Sequence, residues 1–241
     1  NAQDSVKDST ETRWNMFKYD IATIFKGVGH SYSRPLHWQG NQWAQFGAVV
    51  GGTGLVYLAD DNTSRFIRNN REGVPQFIRD YGEFYGNPSN NYIATSGVYA
   101  VGLITKNEKL RRTGVLLVSS ATSAGFLQQV LKSVVGRARP LANLGKDTFD
   151  PFNSNRNFHS FPSGHTTAGF AFMAFIACMF FAKNKIMQVV LALMAVLVGY
   201  SRMYLSQHFL EDVVAGACLG LFSFGLVFFL KGMIQKEKVS E

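Results

Sequence analysis

Ser201-Arg202-Met203-Tyr204-Leu205-Ser206-Gln207-His208-Phe209-Leu210-Glu211-Asp212 is a polar island between two apolar runs, residues 186–200 and 213–230. At a spacing of four, His208 and Asp212 would share one helical face. A carboxylate in that position accepts one ring N–H, sets the tautomer, and leaves the other ring nitrogen free to attack or to move a proton. Taken alone, the stretch reads equally well as a helix end whose His and Asp only cap and solvate. Its flanks decide the fold. Apolar residues gather in runs near membrane-spanning length, and the charges gather between them.

Moving outward, the run 165–182 joins 186–200 through the short turn Lys183-Asn184-Lys185. Upstream, residues 113–131 make about 28 Å of helix, enough to cross a bilayer. Lys106, Lys109, Arg111 and Arg112 precede that run, and Lys231, Lys236 and Lys238 follow the last one. The three basic segments fall on one side of the membrane, the cytoplasmic one by the positive-inside bias. Residues 92–105 form a further modest run, and 44–59 a short one rich in glycine that spans, re-enters or packs on other helices. Residues 60–90 read as a polar connector in which arginines mix with Phe66, Phe77, Tyr81, Phe84 and Tyr85, the composition of a membrane-interface loop.

The expected fold is all-α: a polytopic membrane helical bundle of five or six spans. Residues 1–43 form an interfacial amphipathic N-terminal segment carrying Trp14, Phe17, Tyr19 and Phe25, and residues 44–241 form one membrane-embedded domain. His30 and His37 read as surface or interfacial histidines. The opening Asn1-Ala2-Gln3 fits the end of a secretory signal peptide cleaved after Ala2. Six spans would put the N-terminus in the cytoplasm, whereas a cleaved signal puts it outside and requires 44–59 not to cross.

The formal charge of +8 is scattered through the loops, with no basic arm or stripe, which argues against nucleic acid and for anionic lipid surfaces or phosphate substrates. Cys178 and Cys218 lie inside apolar runs at different depths, as packing residues and not as a disulfide.

Three polar elements then meet at one membrane surface by span order alone, although more than 60 residues separate Lys132 from Arg202. Lys132-Ser133-Val134-Val135-Gly136-Arg137-Ala138-Arg139-Pro140 follows a span, Pro162-Ser163-Gly164-His165 precedes one, and the opening stretch lies between the last two. Lys132, Arg139 and Arg202 supply positive charge, and the arginines can fork onto phosphate oxygens. Ser163 and Gly164 bring a hydroxyl and backbone N–H groups at the positive end of a helix. His208, oriented by Asp212, is placed to attack phosphorus, and His165 to protonate the departing oxygen. Arg137 reads either as a cage member or as a solvent-facing side chain, Glu211 as a surface or capping carboxylate, and His159 as an extra phosphate donor or, in preference, a loop residue. Three clustered cations and the lack of nearby Cys speak against a zinc site.

Lys132 with six residues before Arg139-Pro140, then Pro162-Ser163-Gly164-His165, then Ser201-Arg202 with five residues before His208 and three more before Asp212, resembles the three-part signature of the type-2 phosphatidic acid phosphatase superfamily. The resemblance covers residues 132–212. It implies a helical fold with the site at the ends of core helices, a phosphohistidine intermediate on His208, and no metal or other cofactor. By the same resemblance Lys132, Arg139, Arg202, Ser163 and Gly164 hold phosphate, His165 is the acid, and Asp212 orients the nucleophile. Vanadium haloperoxidases share this pocket but resemble large soluble proteins. The expected activity is hydrolysis of a lipid phosphate monoester or pyrophosphate at the outer, periplasmic face of a bacterial-type inner membrane. The alternatives are an acid phosphatase of soluble esters and a non-enzymatic membrane transporter or scaffold.

Overall fold

A computed structural model describes residues 12–223. The described part is helical, in the order α1 (Arg13–Ser33), α2 (Gly40–Val56), α3 (Asp60–Asn69), α4 (Gln76–Gly86), α5 (Pro88–Ile104), α6 (Glu108–Val135), α7 (Gly164–Phe180) and α8 (Lys185–Tyr204). Residues 210–223 form α9. The signal-peptide reading at Asn1–Gln3, the basic tail and the end of the run 213–230 lie outside the described residues.

Local sequence sets the helix starts. Thr12, Asn87, Asn107, Ser163 and Asn184 each accept a backbone N–H of the first turn through their side chains, which satisfies donors that have no partner within the helix. The predicted runs at 92–105, 113–131, 165–182 and 186–200 all fall on helices. Among the described residues α6 and α8 are long and apolar enough to cross a membrane, and Gly164–Cys178 is a shorter apolar helix. Met173 and Ala177 of α7 pack on Leu191 and Ala195 of α8 as a buried cluster. Large apolar side chains on the outer faces stay uncovered, among them Leu55 at 70% exposure, Ile93 at 72% and Ile186 at 79%. An apolar girdle of this extent is costly in water and matched to lipid.

Beside the expected N-terminal helix and turn over residues 13–37, the structure shows two packing features that the sequence did not announce. The N-terminal segment is docked on the bundle: Asp20 of α1 pairs with Arg111 of α6 at 2.6 Å, with both side chains buried, and accepts from Tyr99 Oη at 3.0 Å. The stretch 60–90, expected as an interface loop, contains helices α3 and α4. Tyr81 of α4 donates to the Met194 carbonyl of α8 at 3.1 Å, so this segment is seated on the core helices that carry the site.

Candidate active site

Lys132 lies in the last turn of α6, which stops on Gly136 with φ 57°. A Cβ there would collide with the Asp150 carbonyl, so the left-handed turn and the close approach both call for glycine. Beyond it the chain folds back over the helix ends: Asp150 N–H donates to the Gly136 carbonyl at 2.7 Å, Ser160 N–H to the Arg137 carbonyl at 3.0 Å, and Leu141 N–H to the Ser206 carbonyl at 2.9 Å. This loop brings the first and third polar elements together. Lys132 Nζ donates to the His159 carbonyl at 2.6 Å, and Arg139 Nη1 donates to Gln207 Oε1.

The second element starts α7. Ser163 is its N-cap, fully buried; its hydroxyl accepts from Thr166 Oγ1 at 2.9 Å, and its N–H donates to the Asp212 carbonyl at 2.9 Å. Both groups of Ser163 therefore fasten the cage, and the first free helical N–H groups belong to Gly164 and His165. A Cβ at Gly164 would displace the end of the Gln128 side chain, which lies against it.

Arg202 lies in the last turn of α8, 3% exposed, with Nε donating to Ser201 Oγ at 3.1 Å and Nη1 to Glu83 Oε2 at 2.7 Å. His208 precedes α9 in a loop, not on a shared helical turn with Asp212. The reason is a cap: Asp212 Oδ2 accepts the Phe209 N–H at 2.8 Å, which starts the helix after His208. His208 Nδ1 nevertheless lies 3.7 Å from Asp212 Oδ2, adjacent but beyond hydrogen-bond length. Asp212 Oδ2 also accepts from Ser160 Oγ at 2.5 Å. Burial, with the charges of Lys132 and Arg139 adding to it against the pull of Asp212, pushes the His208 imidazole down to about 4. The shift keeps the ring neutral at pH 7.

Four side chains of the cage carry buried nitrogens with no hydrogen-bond partner among the described residues: Arg139 Nε, His165 Nε2, Arg202 Nη2 and His208 Nδ1. The two arginine nitrogens are buried donors left unmatched, which cost stability and suit a ligand's acceptors, whereas His208 Nδ1 and His165 Nε2 face the carboxylates of Asp212 and Glu83 at 3.7 and 3.6 Å. The sequence-predicted site residues come together here from the three polar elements.

Arg137 is neither a cage member nor solvent-facing. It is fully buried and bonds to Asp60 at 2.6 Å, Asp212 at 2.9 Å and Glu211 at 3.0 Å. The rings of Phe209, Tyr57 and Phe149 lie against its guanidinium. Glu211, expected at the surface, is thus part of an ion cluster; burial pushes its carboxyl up to about 7 against the pull of Arg137. Sequence reasoning missed Asp60, Glu83 and Ser160. Among the described residues no group of three or more His, Cys, Asp or Glu side chains is arranged to hold a metal ion.

Helices sheathed in apolar side chains, with buried cations and histidines gathered at their ends, make a membrane protein. The family model of the PAP2 superfamily matches residues 113–235, just over half of the chain, and the protein belongs to that superfamily. Over 109 residues it is 35% identical to the lipid A 1-phosphatase of Rhizobium etli, an overlap of 44% of this chain and 45% of that one. Over 132 residues it is 37% identical to phosphatidylglycerophosphatase B of Bacillus subtilis, covering 52% and 60% respectively. The chain thus spans about half the length of these curated relatives. Its fold is similar to the crystal structure of a transmembrane PAP2 type phosphatidylglycerolphosphate phosphatase from Bacillus subtilis, with a TM-score of 0.56 and 23% identity over 78% of this chain and 95% of that one. Asp60 and Glu83 lie before the matched region.

Proposed function

We propose that this protein is an integral membrane lipid phosphatase that hydrolyses a phosphate monoester or pyrophosphate through a phosphohistidine on His208, without a metal ion. One observation carries the reading: Lys132, Arg139 and Arg202 surround two histidines, and both arginines and both histidines keep a buried nitrogen with no partner among the described residues. Phosphoryl transfer asks the protein mainly for positioning and charge neutralisation, and three cations supply both.

In the first step the neutral ring of His208 forms a P–N bond while the bond from phosphorus to the leaving oxygen breaks, and that oxygen takes the proton of His165. Water then attacks phosphorus, the P–N bond breaks, and His165 takes up the water's proton as phosphate departs. Asp212 steadies the imidazolium character that grows on His208. A lipid substrate is supported by an apolar pocket of about 60 Å³ between α5, α6 and α7, lined by Tyr92, Leu117, Ala124, Gly164, Phe172 and Phe175. Its position beside the helix ends fits a headgroup phosphate reaching the cage from the bilayer. The relatives named as lipid A and phosphatidylglycerophosphate phosphatases favour the same class. The reading places the cage at the outer face of a bacterial-type inner membrane, away from the basic loops.

The test is phosphate release by the detergent-solubilised protein from phosphatidic acid, phosphatidylglycerophosphate, a polyprenyl pyrophosphate and lipid A, set against one water-soluble ester. Release from at least one lipid, well above the soluble ester, is expected. Vanadate should inhibit and EDTA should not. His208→Ala should abolish both turnover and the acid-labile phosphoenzyme; full activity in that variant would end the mechanism, and loss in EDTA restored by zinc or magnesium would end the metal-free part.

A further inference from the structure

We propose that Glu83 is the positioning carboxylate for the leaving-group side of this site: it turns Arg202 so that one guanidinium nitrogen is left for phosphate, and it holds on His165 the proton that the leaving oxygen takes up. The assignment rests on the reading of His165 as the acid.

The guanidinium of Arg202 is a rigid planar fork, so fixing two of its nitrogens aims the third. Nη1 is held by Glu83 Oε2 at 2.7 Å and Nε by Ser201 Oγ at 3.1 Å. Nη2 is buried and has no hydrogen-bond partner among the described residues. The other carboxylate oxygen of Glu83, Oε1, lies 3.6 Å from His165 Nε2, too long for a hydrogen bond and close enough for strong Coulombic attraction to an imidazolium. The charged groups facing His165 are Glu83 from α4, Arg202 from α8 and Lys132 from α6. Burial and the charges of Arg202 and Lys132 push the His165 imidazole down to about 4 against the pull of Glu83, so the ring takes its proton only when the negative charge of a phosphate joins that of Glu83. The hydrogen bond from Arg202, working against burial, holds the Glu83 carboxyl below its ordinary range, so it is ionised at neutral pH.

The helix that carries Glu83 is built to stand against the site. Gly82 and Gly86 flank it, and a Cβ at Gly82 would collide with Ser201, while one at Gly86 would collide with Val198 and with the His165 side chain. That backbone contact fixes where the carboxylate reaches, although the Glu83 side chain is 57% exposed. An ordinary surface ion pair is worth little; here its partner Arg202 is buried and belongs to the proposed cage.

The experiment compares wild type, Glu83→Gln and Glu83→Asp, as full-length protein in detergent, on dodecyl phosphate and on p-nitrophenyl phosphate. Alkoxide needs a proton to leave and p-nitrophenolate does not, so loss of an effective acid shows only on the first. Glu83→Gln is expected to lower kcat on dodecyl phosphate about 30-fold and on p-nitrophenyl phosphate less than about 3-fold. Its KM should rise about 5-fold on both as Arg202 loses its aim, and the basic limb of the dodecyl phosphate profile should move to lower pH. Glu83→Asp should recover part of the loss. Equal loss of kcat on both substrates with KM and pH limb unmoved would mean a merely structural role and overturn the proposal, as would unchanged kinetics. Wild type inactive on both esters would instead overturn the phosphatase reading and this assignment with it, and that control separates the two failures.

Discussion

Two cationic centres lie within one shell of each other at the helix ends, and they are finished differently. Arg137 is closed: three carboxylates and three aromatic rings surround it, and it is fully buried. The cage of Lys132, Arg139 and Arg202 is open: its arginines each keep a buried nitrogen with no partner among the described residues, and so do both histidines. The same residue type in nearly the same place thus serves opposite ends. A guanidinium whose nitrogens are all met, by three carboxylates and the Lys146 carbonyl, holds the structure together, whereas one left partly unmet suits the oxyanion of the proposed reaction. Asp212 joins the two, since one oxygen accepts from Arg137 and the other stands next to His208. The closed centre holds the carboxylate that steadies the open one.

Removing charge from each centre should separate them. Arg137→Met leaves Asp60, Asp212 and Glu211 facing one another without a cation, and loss of one partner from a buried pair costs about 3–5 kcal/mol. The largest effect is therefore a steep fall in the thermal unfolding midpoint in detergent. A midpoint near wild type would show the closed centre to be dispensable. Arg139→Ala and Arg202→Ala should do the reverse. Each takes away a buried cation with an unmatched nitrogen, so the unfolding midpoint should hold, while kcat/KM on the preferred lipid phosphate falls on the order of 100-fold, as for loss of one charge-stabilising contact in a transition state. Equal destabilisation by all three substitutions would erase the distinction.

The open centre was legible in the sequence and the closed one was not. Each cage element is a short run whose spacing carries chemistry by itself: Lys132 before Arg139-Pro140, Pro162 through His165, and Arg202 before His208 and Asp212. Their convergence followed from alternating spans, a property of hydropathy. Arg137 could not be assigned because its partners come from α3, from the start of α9 and from rings at positions 57, 149 and 209, and no local pattern announces a contact of that range. Asp60 and Glu83 are single carboxylates in a stretch whose arginines and aromatics resemble an interface loop. Their roles exist only because α3 and α4 pack on α8. The one usable hint was Gly82 and Gly86, four apart around Glu83, a spacing that lets a helix backbone approach another closely. The position of His208 before a helix, and not on it, was hidden for a related reason: the carboxylate expected to face the imidazole also caps the helix start.

The finest difference between the centres lies in how many charges each can hold. Arg137 carries one positive charge against three carboxylates, so full ionisation would leave the closed centre with two surplus negative charges. Glu211, on the first turn of α9 before the apolar run begins, is the group that yields: burial raises its carboxyl to about 7, with the charges of Asp60 and Asp212 adding to the effect and that of Arg137 opposing it. The sign of the linkage follows. A carboxyl whose folded value lies above its unfolded one favours the folded state while protonated; that contribution is complete below about 4.5 and is lost as pH rises through about 7. Glu211→Gln fixes the neutral form. It should match wild type in unfolding midpoint near pH 5 and exceed it slightly at pH 8, by on the order of 1 kcal/mol or a few degrees. A variant less stable than wild type at pH 8 would mean that Arg137 needs all three charges, and that the closed centre is balanced where the surplus says it is not.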